Sequence, residues 1–312
     1  MIKLVYWNIK KRANELYDEI TSLSRGIDIL IISELSISNK KLIVKKSSIQ
    51  DVINTISNIT GMKYKGNNTD SWLHVWARER DNLVIEQIDI FDKQWAPRDL
   101  VNKDSGNSEY LTDYLSKFER MIFYKIKYHK LEFLLVPIHF PSRMYASVER
   151  QKDIAIHFKE YIEKVEKTTE LDSVVVGDFN MNPFEPGMIH PHGFHALPIR
   201  DIGENIKFIG GITYRTFYNP SWEKFGDFEI INNLSNFRPG GSYYHENSND
   251  INYYWYVFDQ VILRKSLVPN FCFEEFKYVS SLNNNNDLLN DNYSPNHAKY
   301  SDHLPLKFQI KN

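Results

Sequence analysis

The sequence predicts an α/β (α+β) protein, with one domain spanning residues 1–312. Three observations carry that expectation. Short apolar runs rich in β-branched residues recur along the chain, at strand length rather than helix length. Between several of them, apolar residues return every three or four positions, as on amphipathic helices. Neither an internal repeat nor an interdomain linker divides the chain, and single α/β sandwiches and barrels reach this length.

Lys3 to Lys10 alternates like a strand, with its end at Asn8. Ala13, Leu16, Tyr17, Ile20 and Leu23 form a helical face that Gly26 stops. Asp28 to Glu34 is a continuous apolar run, hence a buried strand, ending in a carboxylate. Ile49, Val52, Ile53, Ile56 and Ile59 mark a second helix, capped by Ser47 or Ser48 and stopped by Gly61. Trp72 to Trp76 and Leu83 to Ile90 read as strands, and Trp95 to Leu115 as a long loop with a short helix. Arg120 to Tyr128 and Leu131 to Phe140 read as the arms of a hairpin with His129 and Lys130 at or near its tip. An odd-length loop centred on His129 puts Glu119 opposite His139; a two-residue loop puts it opposite Phe140 and makes the pair diagonal.

Val148, Gln151, Ala155, Phe158, Ile162 and Val165 form a third helical face, followed by a strand ending at Asp178. Pro183 to Tyr256 is rich in glycine, proline and aromatics, which predicts long loops and short elements suited to substrate selection. Tyr254 to Arg264 is a strand with Asp259 embedded in an apolar run, where a carboxylate must be paired or hydrogen-bonded. Leu282 to His297 contains four consecutive asparagines and reads as a flexible loop, and Leu306 to Ile310 is the closing strand.

Composition narrows the class. Hydrophobic residues are 42% and charged residues 25%, the balance of a soluble globular protein. Cys272 is the single cysteine, so no intrachain disulfide forms, and a reducing compartment fits. The N-terminus has no long apolar region followed by a cleavage signature, and no apolar segment is long enough to span a bilayer. A cytoplasmic location without a membrane partner is expected. With net charge −2 there is no global basic field to steer nucleic acid, although a local basic groove remains open. The Lys-rich segments 39–46 and 125–130 read as solvated faces.

The stretch Val174-Val175-Val176-Gly177-Asp178-Phe179-Asn180 carries the most chemistry. A buried strand ends in a glycine, which allows close backbone approach or an unusual φ. A carboxylate and an amide follow two residues apart. Continued in extended form they share one side, where they can orient a water and hold a phosphoryl oxygen. The alternative is an Asx-rich turn after a core strand. Asn8, Glu34, His139, Asp259, Asp302 and His303 likewise lie in or beside apolar runs. That set suggests one shared site at an edge of sheets, suited to a hard divalent cation with oxygen ligands and to imidazoles for proton or charge work. It does not suit a structural zinc, because Cys272 is alone.

Six segments, in order, resemble motifs of the endonuclease/exonuclease/phosphatase superfamily: Tyr6-Trp7-Asn8-Ile9, Ile31-Ile32-Ser33-Glu34, Pro137-Ile138-His139, Gly177-Asp178-Phe179-Asn180, Phe258-Asp259-Gln260-Val261-Ile262-Leu263 and Ser301-Asp302-His303-Leu304-Pro305. The resemblance covers the whole chain. It implies a four-layer sandwich of two packed mixed β-sheets flanked by helices. It also implies Glu34 as the principal Mg²⁺ ligand (Mn²⁺ as an alternative), Asn8 beside the metal, and Asp302 ligating or approaching it. Asp178 would orient or deprotonate the attacking water, and Asn180 would hydrogen-bond the scissile phosphate. His303 would contact the phosphoryl oxygen with Asp259 as its partner. His139 would be a second catalytic histidine, with its partner supplied by the Glu119-Arg120 segment.

The expected activity is therefore metal-dependent phosphodiester hydrolysis on DNA or RNA, by in-line attack of an activated water. The alternatives are a phosphomonoesterase or a phospholipid- or inositol phosphate-directed hydrolase, and a binding protein that kept the fold without catalysis. Departures from the pattern narrow the branch. Leu35-Ser36-Ile37 replaces the Thr-Lys of abasic-site repair enzymes, and Val176 replaces the Trp of inositol 5-phosphatases. Tyr256-Val257-Phe258-Asp259-Gln260 stands where those phosphatases carry Pro-Ala-Trp-Cys-Asp-Arg.

His190, His192 and His195 read as a structural or solvated loop cluster rather than a transition-metal site. Arg143 is either a phosphate contact or a helix-start surface residue. Tyr214, Phe217, Tyr218, Trp222, Tyr243 and Tyr244 are either core and rim or a stacking wall for bases.

Overall fold

Strands that are apolar on both faces need cover on both sides, and the chain supplies it as two mixed sheets between helices. The computed structural model describes residues 1–35, 48–67, 71–88, 120–144, 146–201, 205–207, 211, 213–226, 239–246, 251–282 and 288–312. In chain order the elements are β1 (Ile2–Asn8), α1 (Tyr17–Ser24), β2 (Ile29–Ser33), α2 (Ile49–Thr60), β3 (Lys63–Tyr64), β4 (Leu73–Ala77), β5 (Leu83–Ile88), β6 (Phe123–Tyr128) and β7 (Leu131–His139). There follow α3 (Val148–Thr169), β8 (Ser173–Asp178), α4 (Pro186–Ile189), β9 (Ala196–Leu197), β10 (Asn205–Lys207), β11 (Thr213–Arg215) and β12 (Phe217–Tyr218). The last are β13 (Tyr243–Tyr244), β14 (Trp255–Tyr256), β15 (Asp259–Leu263), β16 (Lys277–Tyr278) and β17 (Leu306–Ile310).

Among the described residues, the two large sheets have six strands in the order β16-β17-β1-β2-β4-β3 and seven in the order β5-β6-β7-β8-β15-β12-β9, while β10 pairs with β11 and β13 with β14 in two-stranded sheets. In the first, β1 and β2 run parallel and put Asn8 beside Ser33, one residue before Glu34. In the second, β7 and β8 run parallel and put His139 beside Asp178. Antiparallel β15 places Asp259 opposite Asp178 on the other side.

The alternation of side chains along a strand builds the layers. Leu135, Val174, Val176 and Val261 pack with Leu4, Tyr6, Ile31 and Val75 in the core between the sheets. Their neighbours Leu134, Val136, Val175 and Ile262 point the other way, onto Ile154, Ala155, Phe158 and Ile162 of α3. Val52, Ile53 and Ile56 of α2 cover the six-stranded sheet. The result is helices, sheet, sheet and helix, the expected four-layer sandwich.

Local signals set the element ends. Ser48, rather than Ser47, caps α2: its side chain accepts from Asp51 N, and the Asp51 carboxylate accepts from Ser48 N. Such a cap contributes about 1 kcal/mol. Gly61 ends the helix at φ 65°. At the hairpin, Tyr128 pairs with Leu131, so His129 and Lys130 form a two-residue loop. The predicted strand Tyr254 to Arg264 divides instead into β14 and β15, which join different sheets. The 95–115 loop and the Lys-rich 39–46 segment lie outside the described residues. Lys125 and Lys127 pair with Glu132 across the hairpin. Among the described residues, no helix is long and apolar enough to cross a membrane.

Candidate active site

Close approach of β7 and β8 builds the base of the site. A Cβ on Gly177 would lie 1.8 Å from the Ile138 carbonyl oxygen, so only glycine lets the strands meet there. Beyond the strand end, the Asp178 carboxylate accepts from Asn180 N at 2.8 Å, and Asn180 has a φ of 49°. The segment is thus an Asx turn, and that turn is what brings the acid and the amide together. The Asn180 amide nitrogen donates to the Phe140 carbonyl at 2.8 Å, and Gln151 of α3 donates to the Asn180 carbonyl at 3.1 Å.

Asn8 ties the two sheets together. Its side-chain nitrogen donates to Asp178 Oδ2 at 3.1 Å and to Glu34 Oε1 at 3.2 Å. Tyr6, from the same strand, accepts from Asp178 N at 3.0 Å, which leaves its hydroxyl hydrogen for Ser33 Oγ at 2.7 Å. Glu34 sits at φ 54°, held by backbone bonds from its N–H to Trp72 and from Lys11 to its carbonyl. Unusual backbone at Glu34 and Asn180 is of the kind found where geometry serves a site. Burial works to raise the Glu34 pKa, but hydrogen bonds from His139 and Asn8 outweigh it and lower the pKa to about 2.

His139 Nε2 lies 3.2 Å from Glu34 Oε1 and 3.8 Å from Asp178 Oδ2. The register of the hairpin puts Arg120 opposite it, with Nη1 at 3.1 Å from Nδ1. A guanidinium only donates, so Nδ1 accepts and Nε2 carries the proton toward Glu34. Trp72 stacks on the His139 ring with centroids 5.3 Å apart, and the Arg120 guanidinium lies 4.3 Å from the Trp72 ring. Glu119 lies outside the described residues. Of the Glu119-Arg120 segment expected to supply the partner of His139, the contact comes from Arg120; Trp72 was expected only as a strand residue. The signal for Arg120 was its place in the hairpin, since a two-residue loop makes it the residue opposite His139.

His303 faces the same point from the loop before β17. Its Nδ1 lies 2.7 Å from Asp259 Oδ2, and its Nε2 lies 3.9 Å from Asp178 Oδ2. Ser301 fixes this loop, donating to the Asn8 carbonyl at 2.6 Å and accepting from His303 N at 3.1 Å. Trp7 donates to the His303 carbonyl at 2.9 Å. Burial works to lower the His303 pKa, but the Asp259, Asp178 and Asp302 charges and the Asp259 hydrogen bond raise it to about 10. Asp178 is raised, first by burial and then by the Asp259 carboxylate, against the pull of His303. Ligand atoms of the buried Asp178, Asp259 and His303 lie within 4.8 Å of one another, a spacing a metal ion can span.

The other candidates separate. Asp302 pairs with Lys10, at the edge of the cluster. Arg143 pairs with Glu185 and lies 5.8 Å from the Phe258 ring. Phe217 and Tyr218 are buried in the core, so they form no base-stacking wall. His192 bonds to the Tyr214 hydroxyl at 2.8 Å and stacks on His190, while His195 is buried. Tyr243 stands 4.9 Å from the His303 ring.

No family model and no curated protein matches the chain by sequence. By structure, solved proteins are similar to it. D. rerio TDP2 complexed with a single-strand DNA product aligns over 100% of this chain and 99% of its own, at 10% identity and a TM-score of 0.54. The mannosyl-6-phosphatase of Bacteroides thetaiotaomicron aligns over 100% of both chains, at 12% identity and a TM-score of 0.50. An endonuclease/exonuclease/phosphatase family protein from Bacteroides thetaiotaomicron aligns over 99% of this chain and 97% of its own, at 13% identity and a TM-score of 0.48. At such identities the likeness is one of fold.

Proposed function

We propose that this chain, whose fold is similar to those of TDP2 and the mannosyl-6-phosphatase, is a metal-dependent phosphodiester hydrolase of the endonuclease/exonuclease/phosphatase type acting on DNA or RNA. The observation that carries the reading is Asp178, buried between two histidines and two amides, with Glu34 joined to it by the two hydrogen bonds that Asn8 donates.

Asp178 accepts a proton from the attacking water. Burial beside Asp259 raises its proton affinity, as a base working near neutral pH requires. Asn8 and the Asn180 backbone N–H fix its two oxygens. His303 stays cationic at pH 7 and stabilises charge that builds on a nonbridging oxygen as water attacks phosphorus and the P–O bond to the leaving group breaks. The Asn180 amide, with one hydrogen on Phe140, has a second for a phosphoryl oxygen.

The donor set fits a hard cation. Glu34 is ionised, a fifth of its side chain is exposed (21%), and Mg²⁺ commonly takes one or two carboxylates and keeps its waters. Glu34 would hold the ion with Asn8 beside it, and the ion would neutralise phosphate charge. Asp302, bound to Lys10, serves better as a negative charge supporting His303 than as a ligand. His139 holds Glu34 through Nε2 instead of protonating the leaving group, because Arg120 takes its other nitrogen.

The test is an Mg²⁺/Mn²⁺-dependent cleavage assay on supercoiled DNA, single-stranded DNA, RNA and an inositol phosphate, run beside Asp178→Asn. Cleavage of a nucleic acid that EDTA and the substitution both abolish is the expected result. Release of phosphate from the inositide alone moves the activity to the phosphatase branch. Undiminished cleavage by folded Asp178→Asn overturns the mechanism.

A further inference from the structure

An unbroken series of aromatic rings leads away from His303. Tyr243 stands 4.9 Å from the His303 ring, and Phe258 stacks on Tyr243 at 5.3 Å and 20°. Tyr256 packs on Phe258 at 5.0 Å and Tyr253 on Tyr256 at 5.8 Å. Phe184, four residues past Asn180, meets Tyr253 at 5.5 Å and Phe225 at 5.4 Å. The near end is well packed, with Tyr256 and Phe258 each 7% exposed. The far end is open to solvent, with Tyr253 at 41% and Phe225 at 37%. The ledge itself contains no carboxylate and no basic side chain. Arg143, held by Glu185, brings a cation 5.8 Å from the Phe258 ring.

A ledge of this kind joins a phosphate-handling site to exposed planar apolar surface. Sugars and inositols set only a puckered C–H face against one ring, a smaller contact than successive planar bases make along a series of rings. Inside a duplex, however, the faces of a base are already stacked on its neighbours and only its edges are on offer. The net charge of −2 removes a general electrostatic source of affinity, so local contacts must supply it. We propose that the exposed rings of this ledge, Tyr253 and Phe225, stack unpaired bases of a strand whose phosphate lies at Asp178, with buried Phe258 and Tyr256 supporting them and Arg143 beside the backbone, so that single-stranded nucleic acid is the preferred substrate. The proposal rests on the phosphodiesterase reading above and extends it to strand preference.

The test measures fluorescence anisotropy of a short labelled oligothymidylate, and of a duplex of equal length, against the full chain in EDTA so that nothing is cut. The single strand binds more tightly than the duplex, by about tenfold, a difference of one well-stacked base. Tyr253→Ala and Phe225→Ala, each checked for folding by circular dichroism, weaken single-strand binding about fivefold or more, whereas Tyr253→Phe retains it. Equal affinity for duplex and single strand, or two alanine variants that bind like the parent, overturns the proposal. Wild-type hydrolysis of bis-p-nitrophenyl phosphate with Mg²⁺ separates the two claims. Turnover without single-strand preference rejects the ledge and keeps the hydrolase. Single-strand preference without any turnover keeps the ledge and rejects the hydrolase.

Discussion

His303 Nδ1 lies 2.7 Å from Asp259 Oδ2, and both side chains are buried. Burial alone would strip the imidazole of its proton; the carboxylate reverses that and holds its pKa at about 10. The ordinary histidine value is 6.5, so the folded state binds this proton more tightly than the unfolded chain does. The pair's contribution to stability is therefore complete below pH 6.5 and is lost as pH rises through about 10. Activity falls over the same alkaline limb.

Asp259→Asn moves that limb down and lowers turnover at pH 7 by about 100-fold or more, since His303 is then partly neutral. A pH–rate profile measures both effects. An alkaline limb left in place by the substitution means that Asp259 does not charge His303. On the acid side, activity rises with pH through a limb displaced above the usual aspartate value of 3.8, because Asp178 must lose a proton that burial makes it hold.

Asn8→Ala removes the amide that joins Glu34 to Asp178. The Glu34 carboxylate loses one of the hydrogen bonds that orient it, and Mg²⁺ or Mn²⁺ affinity drops by about 10–100-fold. Calorimetric titration of the metal provides the readout. An unchanged affinity places the ion elsewhere than Glu34.

Arg120→Ala frees His139 Nδ1, so the ring no longer has to present its proton to Glu34. Turnover falls by about 10–100-fold in a protein that still folds. Steady-state kinetics with Mg²⁺ checks the outcome, and Arg120→Lys restores part of the loss if donation to Nδ1 is what matters.

Gly177→Ala puts a methyl group 1.8 Å from the Ile138 carbonyl oxygen and forces β7 from β8. Overpacking of this kind costs about 1–3 kcal/mol or more, read as a lower urea midpoint. Activity is lost as well, because His139 and Asp178 are neighbours only through that strand pair.

Several lines of the chain were legible in advance because their signal is local. Continuous apolar runs mark strands covered on both faces, as β8 is. The Ser48 cap and Gly61 stop of α2 are short-range chemistry. Arg120 was harder to read, because its role depends on a hairpin loop of two residues rather than three. That one-residue difference decides which side chain faces His139. The division of Tyr254 to Arg264 into two strands was likewise out of reach: Trp255 turns back onto nearby Tyr244, whereas Leu263 pairs with Val174, far away in sequence.

The sequence alone determined the residue types at strand ends and hence the chemistry open to the site: carboxylates, amides and two imidazoles beside apolar strands. Tertiary structure decided how those groups are brought together. Asn8 comes from one sheet and Asp178 from the other, so their 3.1 Å hydrogen bond exists only when the sandwich closes. Asp178 and Asp259 become cross-strand neighbours only in the antiparallel register of β8 and β15. The ionisation of a buried group is set by charges within a few ångströms, and those charges are contributed by segments far apart in the chain.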